Sequence, residues 1–413
     1  MHTKRPFVCG AALSLACGLA WGCLSPISLR ADEPLKGGGP VSPDDVRIGT
    51  LLAQLGNPEF AARERATEQL IRIGMPALPA LEGGLDQSDR EIRYRCERIL
   101  AIVREVDFRR RLNEFLNNPD KSDGMGLPSW ESYRDRIGEE PEARQIFVEM
   151  QKATPELLET LEHNPAATPE IVAARVAVLQ QGLQNPTDRR EPTVGAVAAL
   201  LFAAGQENIN IDHNTSSYVY QFVYQKGFRE AITAGPQRET LRRLLGGWIR
   251  RADGDTAYQG MILAVHYELP EGLQPAIRTL SQPNLAQQHA RLYAILVVAK
   301  LGNRRQIELL EQQLDDKLAY GGNQKINNVE YQSQMRDIAL AALWHLVDED
   351  PKDHGFDHIR PTPQTVFDVS SVGFANDESR QKALDDWKQF RAKQKASDDN
   401  GPAKEADAEA DGS

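Results

Sequence analysis

Asn57-Pro58-Glu59-Phe60-Ala61-Ala62-Arg63-Glu64-Arg65-Ala66-Thr67-Glu68-Gln69-Leu70-Ile71-Arg72-Ile73-Gly74-Met75-Pro76 is the stretch that decides the fold class. Arg63, Ala66, Leu70 and Ile73 stand at offsets of three, four and three. That spacing puts a small residue and two large apolar ones on one helix face, with the arginine one turn earlier. Gly74 is a helix stop and Pro76 opens the next helix. The register returns as Arg93-x2-Cys96-x3-Leu100-x2-Val103, Arg291-x2-Ala294-x3-Val298-x2-Leu301 and Arg336-x2-Ala339-x3-Leu343-x2-Leu346. A unit repeated in this way predicts a stacked helical array, in which each helix pair buries its face against its neighbours.

Bulk composition agrees. At 413 residues the chain has room for two ordinary domains or one extended array. Hydrophobic content is 41% and aromatic content only 7%, which suits an Ala/Leu-rich helical scaffold better than a large β core.

The N-terminus reads as an export signal. Lys4 and Arg5 form a basic start, Phe7 to Leu19 a short apolar run, and Ser28-Leu29-Arg30-Ala31 offers a cut after Ala31. The run is too short and too rich in Gly and Ala for a membrane span, which needs roughly 20 apolar residues. Ala20-Trp21-Gly22-Cys23 loosely resembles a bacterial lipobox, which would place an acyl anchor on Cys23. Ala20 and Trp21 depart from that motif, and cleavage near Ala31 is expected instead. Cys9, Cys17 and Cys23 all lie in the signal region, so the mature chain keeps Cys96 alone. One thiol can form neither an internal disulfide nor a cysteine-rich zinc site, and Cys96 in its apolar slot reads as a buried small hydrophobe. Removing residues 1–31 takes away Lys4, Arg5 and Arg30 and no acid, which lowers the formal net charge of −11 by three, to −14. Such a chain is repelled by nucleic acid and by anionic lipid, so a nucleic-acid partner is not expected.

Residues 32–42 have linker composition, and Ser42 or Asp44 can cap a first helix. N-terminal repeats are expected over 43–117, with a loop at 118–128. Helical patterns resume at 129–137, 140–152, 154–163, 168–184, 192–204, 236–251, 256–268 and 270–281, many opened by Pro or a capping residue. No run reads as alternating strands bounded by turns. The expected fold is therefore all-α, an α-solenoid of irregular helical hairpins, with 129–350 as its irregular part. Residues 351–395 read as an irregular segment followed by a short amphipathic helix carrying Ala383, Leu384, Trp387 and Phe390, a terminal cap for the last apolar face. From Ala396 to Ser413 no large apolar residue occurs, and disorder is expected.

Asn57-Pro58, Arg63-x2-Ala66, Leu70-x2-Ile73-Gly74 and Pro76-Ala77-Leu78-Pro79-Ala80-Leu81 together resemble the HEAT-repeat family. The order Arg336-Asp337-Ile338-Ala339, Pro351-Lys352-Asp353-x-Gly355-Phe356, Gly373-Phe374, Trp387 is similar to the C-terminal part of exported bacterial HEAT-repeat proteins. The resemblance implies a binding scaffold, periplasmic or extracellular. It also implies that the recurrent arginine pairs with an acid of the adjacent repeat, in a ladder that fixes stacking register.

Neither a His-Glu-x-x-His motif, a Gly-x-Ser-x-Gly elbow nor a phosphate loop is present, so neither catalytic residues nor a cofactor are assigned. His266 and His345 each sit within an apolar helix and read as core histidines. The alternative to a scaffold is a metal-dependent protein using Asp353-His354-Gly355-Phe356-Asp357-His358, although zinc would need a third convergent ligand. Two features suit a protein or peptide partner. Tyr218, Tyr220 and Tyr224 give rings along one helix, and aromatic anchors dominate binding hot spots. Arg238, Arg242 and Arg250 belong to a basic run whose helix buries Leu241, Leu244, Leu245, Trp248 and Ile249, a groove for an acidic peptide or anionic glycan.

Overall fold

Ser42 starts the first helix by a reciprocal cap. Its hydroxyl accepts from the Asp45 amide at 3.1 Å, while the Asp45 carboxylate accepts from the Ser42 amide at 3.2 Å. The computed structural model describes residues 42–118, 124–282 and 287–399. The expected signal segment at 1–31, the linker up to residue 41 and the tail beyond 399 lie outside the described residues. Among those described, the chain is all-α, with eighteen α-helices and two very short β-hairpins. No helix among them is long and apolar enough to cross a membrane. Two compact units divide between Arg104 and Glu105.

The first unit holds α1 (Pro43–Gln54), α2 (Phe60–Ile73), α3 (Leu78–Gly84) and the start of α4 (Arg90–Asn117). Ala66, Leu70, Cys96, Leu100 and Val103 are buried in its core, as the shared register requires, with Ile48, Leu51, Leu55, Leu81 and Ile99 around them. Gly74, at φ 72, ends α2 where a side chain would be strained. The repeated arginine does more than the expected ladder. Arg63 Nη1 donates to the carbonyls of Asn57 and Pro58 at 2.7 and 3.1 Å. Arg93 Nη1 does the same to Gln87 and Ser88, at 2.6 and 2.9 Å. Each arginine thus clamps the turn that precedes its own helix. Three of the four also meet an acid further along the chain: Arg63 with Glu91, Arg291 with Asp316 and Arg336 with Asp377.

Helices α3 and α4 touch at a point where only glycine fits. A Cβ on Gly84 would lie 2.4 Å from Cys96 Sγ, and burial pushes the Cys96 thiol up to about 11, so it stays protonated. Gly84→Ala should therefore lose about 1–3 kcal/mol of stability by overpacking. Adding Cys96→Ala should restore most of that loss, because the Cβ of residue 96 sits at an ordinary 3.4 Å. Urea denaturation of both variants checks this. A double variant no better than the single would show that the two residues do not limit this contact.

The second unit begins with the rest of α4, followed by α5 (Trp130–Ile137), α6 (Pro141–Ala153), α7 (Pro155–His163), α8 (Thr168–Gln184) and α9 (Val194–Ala204). It continues through α10 (His213–Val223), α11 (Lys226–Ala234), α12 (Arg238–Arg251) and α13 (Gly254–Tyr267). Then follow α14 (Leu273–Ser281), α15 (Gln288–Leu301), α16 (Ile307–Glu311), α17 (Met335–Leu346) and α18 (Asp377–Asp399). Helix α9 is apolar all round and every residue from Gly195 to Ala204 is buried, so it is a central strut. Consecutive helices pair as α12 with α13, α14 with α15 and α16 with α17. Across pairs, α9, α12, α14 and α16 adjoin in one layer, while α10, α13, α15 and α17 adjoin in a second.

Among the described residues, the buried charges include Arg144 and the pair Arg380 and Asp337. Arg144 on α6 is 3% exposed, its guanidinium 3.8 Å from the Phe115 ring centroid and 5.1 Å from that of Trp130, while Nη2 donates to Phe115 O at 2.7 Å. Arg380 on α18 donates through Nε to both carboxylate oxygens of Asp337 on α17, at 2.9 and 3.2 Å, with side chains 4% and 1% exposed. Helix α18 also buries Ala383, Leu384 and Trp387, whose indole donates to Glu311 at 3.1 Å. It runs on to Asp399, past Lys395, where the expected helical segment ends, and into the stretch from Ala396 where disorder was expected.

Strands occur where none was expected. β1 (Gln324–Ile326) pairs with β2 (Val329–Tyr331) through Asn327 and Asn328, both at positive φ, and β3 (Pro361–Thr362) pairs with β4 (Val366–Phe367). Two or three residues are too few to show a two-residue period. The Asn-Asn pair was the available turn signal.

Candidate functional site

Asp212 fixes the start of α10. The Thr215 hydroxyl and amide both donate to its carboxylate, at 2.5 and 3.0 Å, and hold it below the usual carboxylate range. Val219, Phe222 and Val223 then turn into the core, which leaves Tyr218 and Tyr220, and Tyr224 at the C-cap, half-buried on the flank. The rings of Tyr220 and Tyr224 meet edge to face at 5.1 Å, with their hydroxyls 3.4 Å apart.

The aromatic surface continues beyond α10. On α13, Tyr258 packs edge to face against Tyr293 of α15, with centroids 5.3 Å apart. His289 of α15 lies 6.2 Å from Tyr258 and 6.1 Å from Tyr320, in the loop after α16. Tyr258, Tyr293 and Tyr320 are half-buried like Tyr220 and Tyr224, so one row of rings crosses three adjoining helices of the second layer. Burial raises the pKa of Tyr224, Tyr258 and Tyr293, and the neighbouring phenols raise it further. These groups are therefore neutral at physiological pH and both donate and accept hydrogen bonds. Buried polar atoms in these helices with no hydrogen-bond partner among the described residues include Gln259 Oε1, the Tyr267 hydroxyl and Arg291 Nε.

Tyr224, Tyr258 and Tyr293 follow one another at intervals of 34 and 35 residues, the length of one helical hairpin. That interval was the signal for Tyr258 and Tyr293, which local pattern reading passes over because neither has another Tyr, Phe or Trp three or four positions away in its helix.

The arginines stand elsewhere. Helix α12 buries Leu241, Leu244, Leu245, Trp248 and Ile249 as expected, but it belongs to the first layer. Arg238 is exposed and pairs with Glu239 at 3.0 Å, Arg242 donates to Glu268 O at 3.4 Å, and Arg250 lies 3.9 Å from Glu271. Among the described residues, no hydrogen bond, ion pair or ring contact joins them to Tyr218, Tyr220 or Tyr224. The two expected partner-binding features thus lie on different layers.

Of the possible metal cluster, His354 stacks flat on Trp344 at 3.5 Å and 2°, with Nδ1 2.6 Å from Asp386. His358 instead meets the Tyr331 ring edge-on at 4.5 Å. Among the described residues, no group of three or more His, Cys, Asp or Glu is placed to hold a metal ion. His266 and His345, expected in the core, are exposed. Their apolar neighbours in sequence face the core from other sides of the same helix, and α-helical rotation leaves these two positions outside.

Comparison with protein-family models, with curated proteins and with solved structures finds no match to this chain.

Proposed function

We propose that this chain is an exported, non-catalytic binding scaffold, a HEAT-like α-solenoid that holds a protein or peptide along its tyrosine face. The observation that carries the proposal is the row formed by Tyr220, Tyr224, Tyr258, Tyr293 and Tyr320. The recurrent arginine register and the two helix layers support the solenoid, and the N-terminal sequence supports export. Tyrosine offers a large rigid contact area with little side-chain entropy to lose, and a neutral hydroxyl for a backbone amide or carbonyl. Packed helices stand about 8–10 Å apart. An extended peptide advances about 3.3 Å per residue, so rings one helix apart match every third residue of such a ligand.

The test is a peptide selected from a random library against the purified protein. Changing Tyr258 and Tyr293 to Ser should weaken its binding by at least about tenfold each, the scale of an aromatic hot spot. The helical circular dichroism should stay unchanged. Full affinity in the double variant would reject the tyrosine face.

A further inference from the structure

Helices α5, α9 and α12 border a cleft of about 430 Å³ that Arg136, Arg243, Arg250 and Arg251 line together with the apolar Phe202 and Leu244. Three of these guanidinium groups are anchored by backbone carbonyls. Arg136 Nη1 donates to Gly205 O at 3.4 Å, Arg251 Nη2 to Ile209 O at 3.2 Å, and Arg243 Nη1 to Ile137 O. A carbonyl fixes a guanidinium without cancelling its charge, and each group carries five N–H donors, of which these contacts use a minority. Among the described residues, Arg243 alone of the four has a carboxylate within hydrogen-bond distance, Glu140 at 3.0 Å. The Arg250–Glu271 separation of 3.9 Å is too long for one. Of the acids in the lining, Asp135 already pairs with Arg134, which leaves Glu207 against four cations.

We propose that this cleft binds an oxyanion, a carboxylate, sulfate or phosphate group, through Arg136, Arg243, Arg250 and Arg251. Planar guanidinium forks suit such groups bidentately, and the apolar lining suits the stem that carries one. The site is independent of the tyrosine face. On a chain with formal net charge −11, attraction for an anion must come from these close contacts rather than from the overall field.

Gly247 supplies the test, because it lines the cleft and a Cβ there would meet nothing within 4 Å. Gly247→Glu places a carboxylate in the cleft without a steric conflict, and Gly247→Ala is its control. Calorimetric titrations use inorganic phosphate, sulfate and a Glu hexapeptide as separate probes. The expected result is saturable binding of at least one probe, weakened by about tenfold or more in Gly247→Glu, as full charge repulsion in a shared site requires. Gly247→Ala should bind as the native protein does, and Arg250→Met should weaken the same probe with unchanged thermal stability. Binding of phosphate or sulfate assigns a free anion as ligand, whereas binding of the hexapeptide alone assigns a peptide carboxylate. Absence of saturable binding by any probe to about 10 mM would overturn the site. So would binding untouched by Gly247→Glu, or equal loss in both Gly247 variants.

Discussion

Arg380→Met should destabilise the second unit by about 3–5 kcal/mol near neutral pH, because breaking a buried ion pair strands the charge that remains. It leaves the Asp337 carboxylate 1% exposed and without the Nε–H that donates to both its oxygens, and it removes the bond from Arg380 Nη2 to Gln332 O. The effect should depend on pH. Burial pushes the Asp337 carboxyl up to about 6, with Arg380 acting in the opposite direction. A carboxyl raised above its unfolded value of about 3.9 binds more protons in the native state, so its contribution is full below about pH 4 and is lost as pH rises through about 6. Without Arg380 the rise is larger and the loss extends to higher pH. The variant should thus be closer to the native protein at pH 5 than at pH 7.5. Changing both residues, Asp337→Leu with Arg380→Met, removes the buried charges together and should recover most of the stability. Urea midpoints at the two pH values measure all of this. A single variant within about 1 kcal/mol of native at pH 7.5 would show that the pair is effectively solvated.

Arg144→Ala should cost about 3–4 kcal/mol, from a cavity among aromatic rings and from loss of the bond to Phe115 O. Arg144 rests against Phe115 and Trp130, and those rings pack on one another at 4.6 Å and on Phe147 at 5.6 and 5.1 Å. Phe115 O belongs to the last turn of α4, where a cation also meets the negative end of the helix dipole. Arg144→Met keeps most of the volume and loses only the charge and the donor, so it should cost about half as much. Near-ultraviolet circular dichroism of the tryptophan region and urea midpoints report both effects. Equal costs for Ala and Met would assign the whole role to the charge.

Helix positions were legible because their punctuation is local. Thr154-Pro155, Thr168-Pro169 and the Gly74 stop lie where sequence places them, and the small-residue slots Ala66, Cys96, Ala294 and Ala339 are all fully buried. Arg144 and Arg380 were not legible as buried, because a charged residue at a helical position reads as solvated until its partners on other helices are known. His266 and His345 failed in the opposite sense. Apolar neighbours say that a helix is buried on some side but not which residue closes the circle. The tyrosine row was half legible. Tyr220 and Tyr224 announce themselves at an interval of four, whereas Tyr258 and Tyr293 join them through the hairpin repeat, a period longer than any local window.

Site-specific photo-crosslinking in the native host bears most directly on the tyrosine face. Benzoylphenylalanine placed at Tyr258 or Tyr293, on the second layer, should give one shared adduct. Placed at the exposed Glu308 of α16, on the first layer, it should give none of that species. Adducts of the same identity from Glu308, or none from either tyrosine position, would contradict a partner bound along that row.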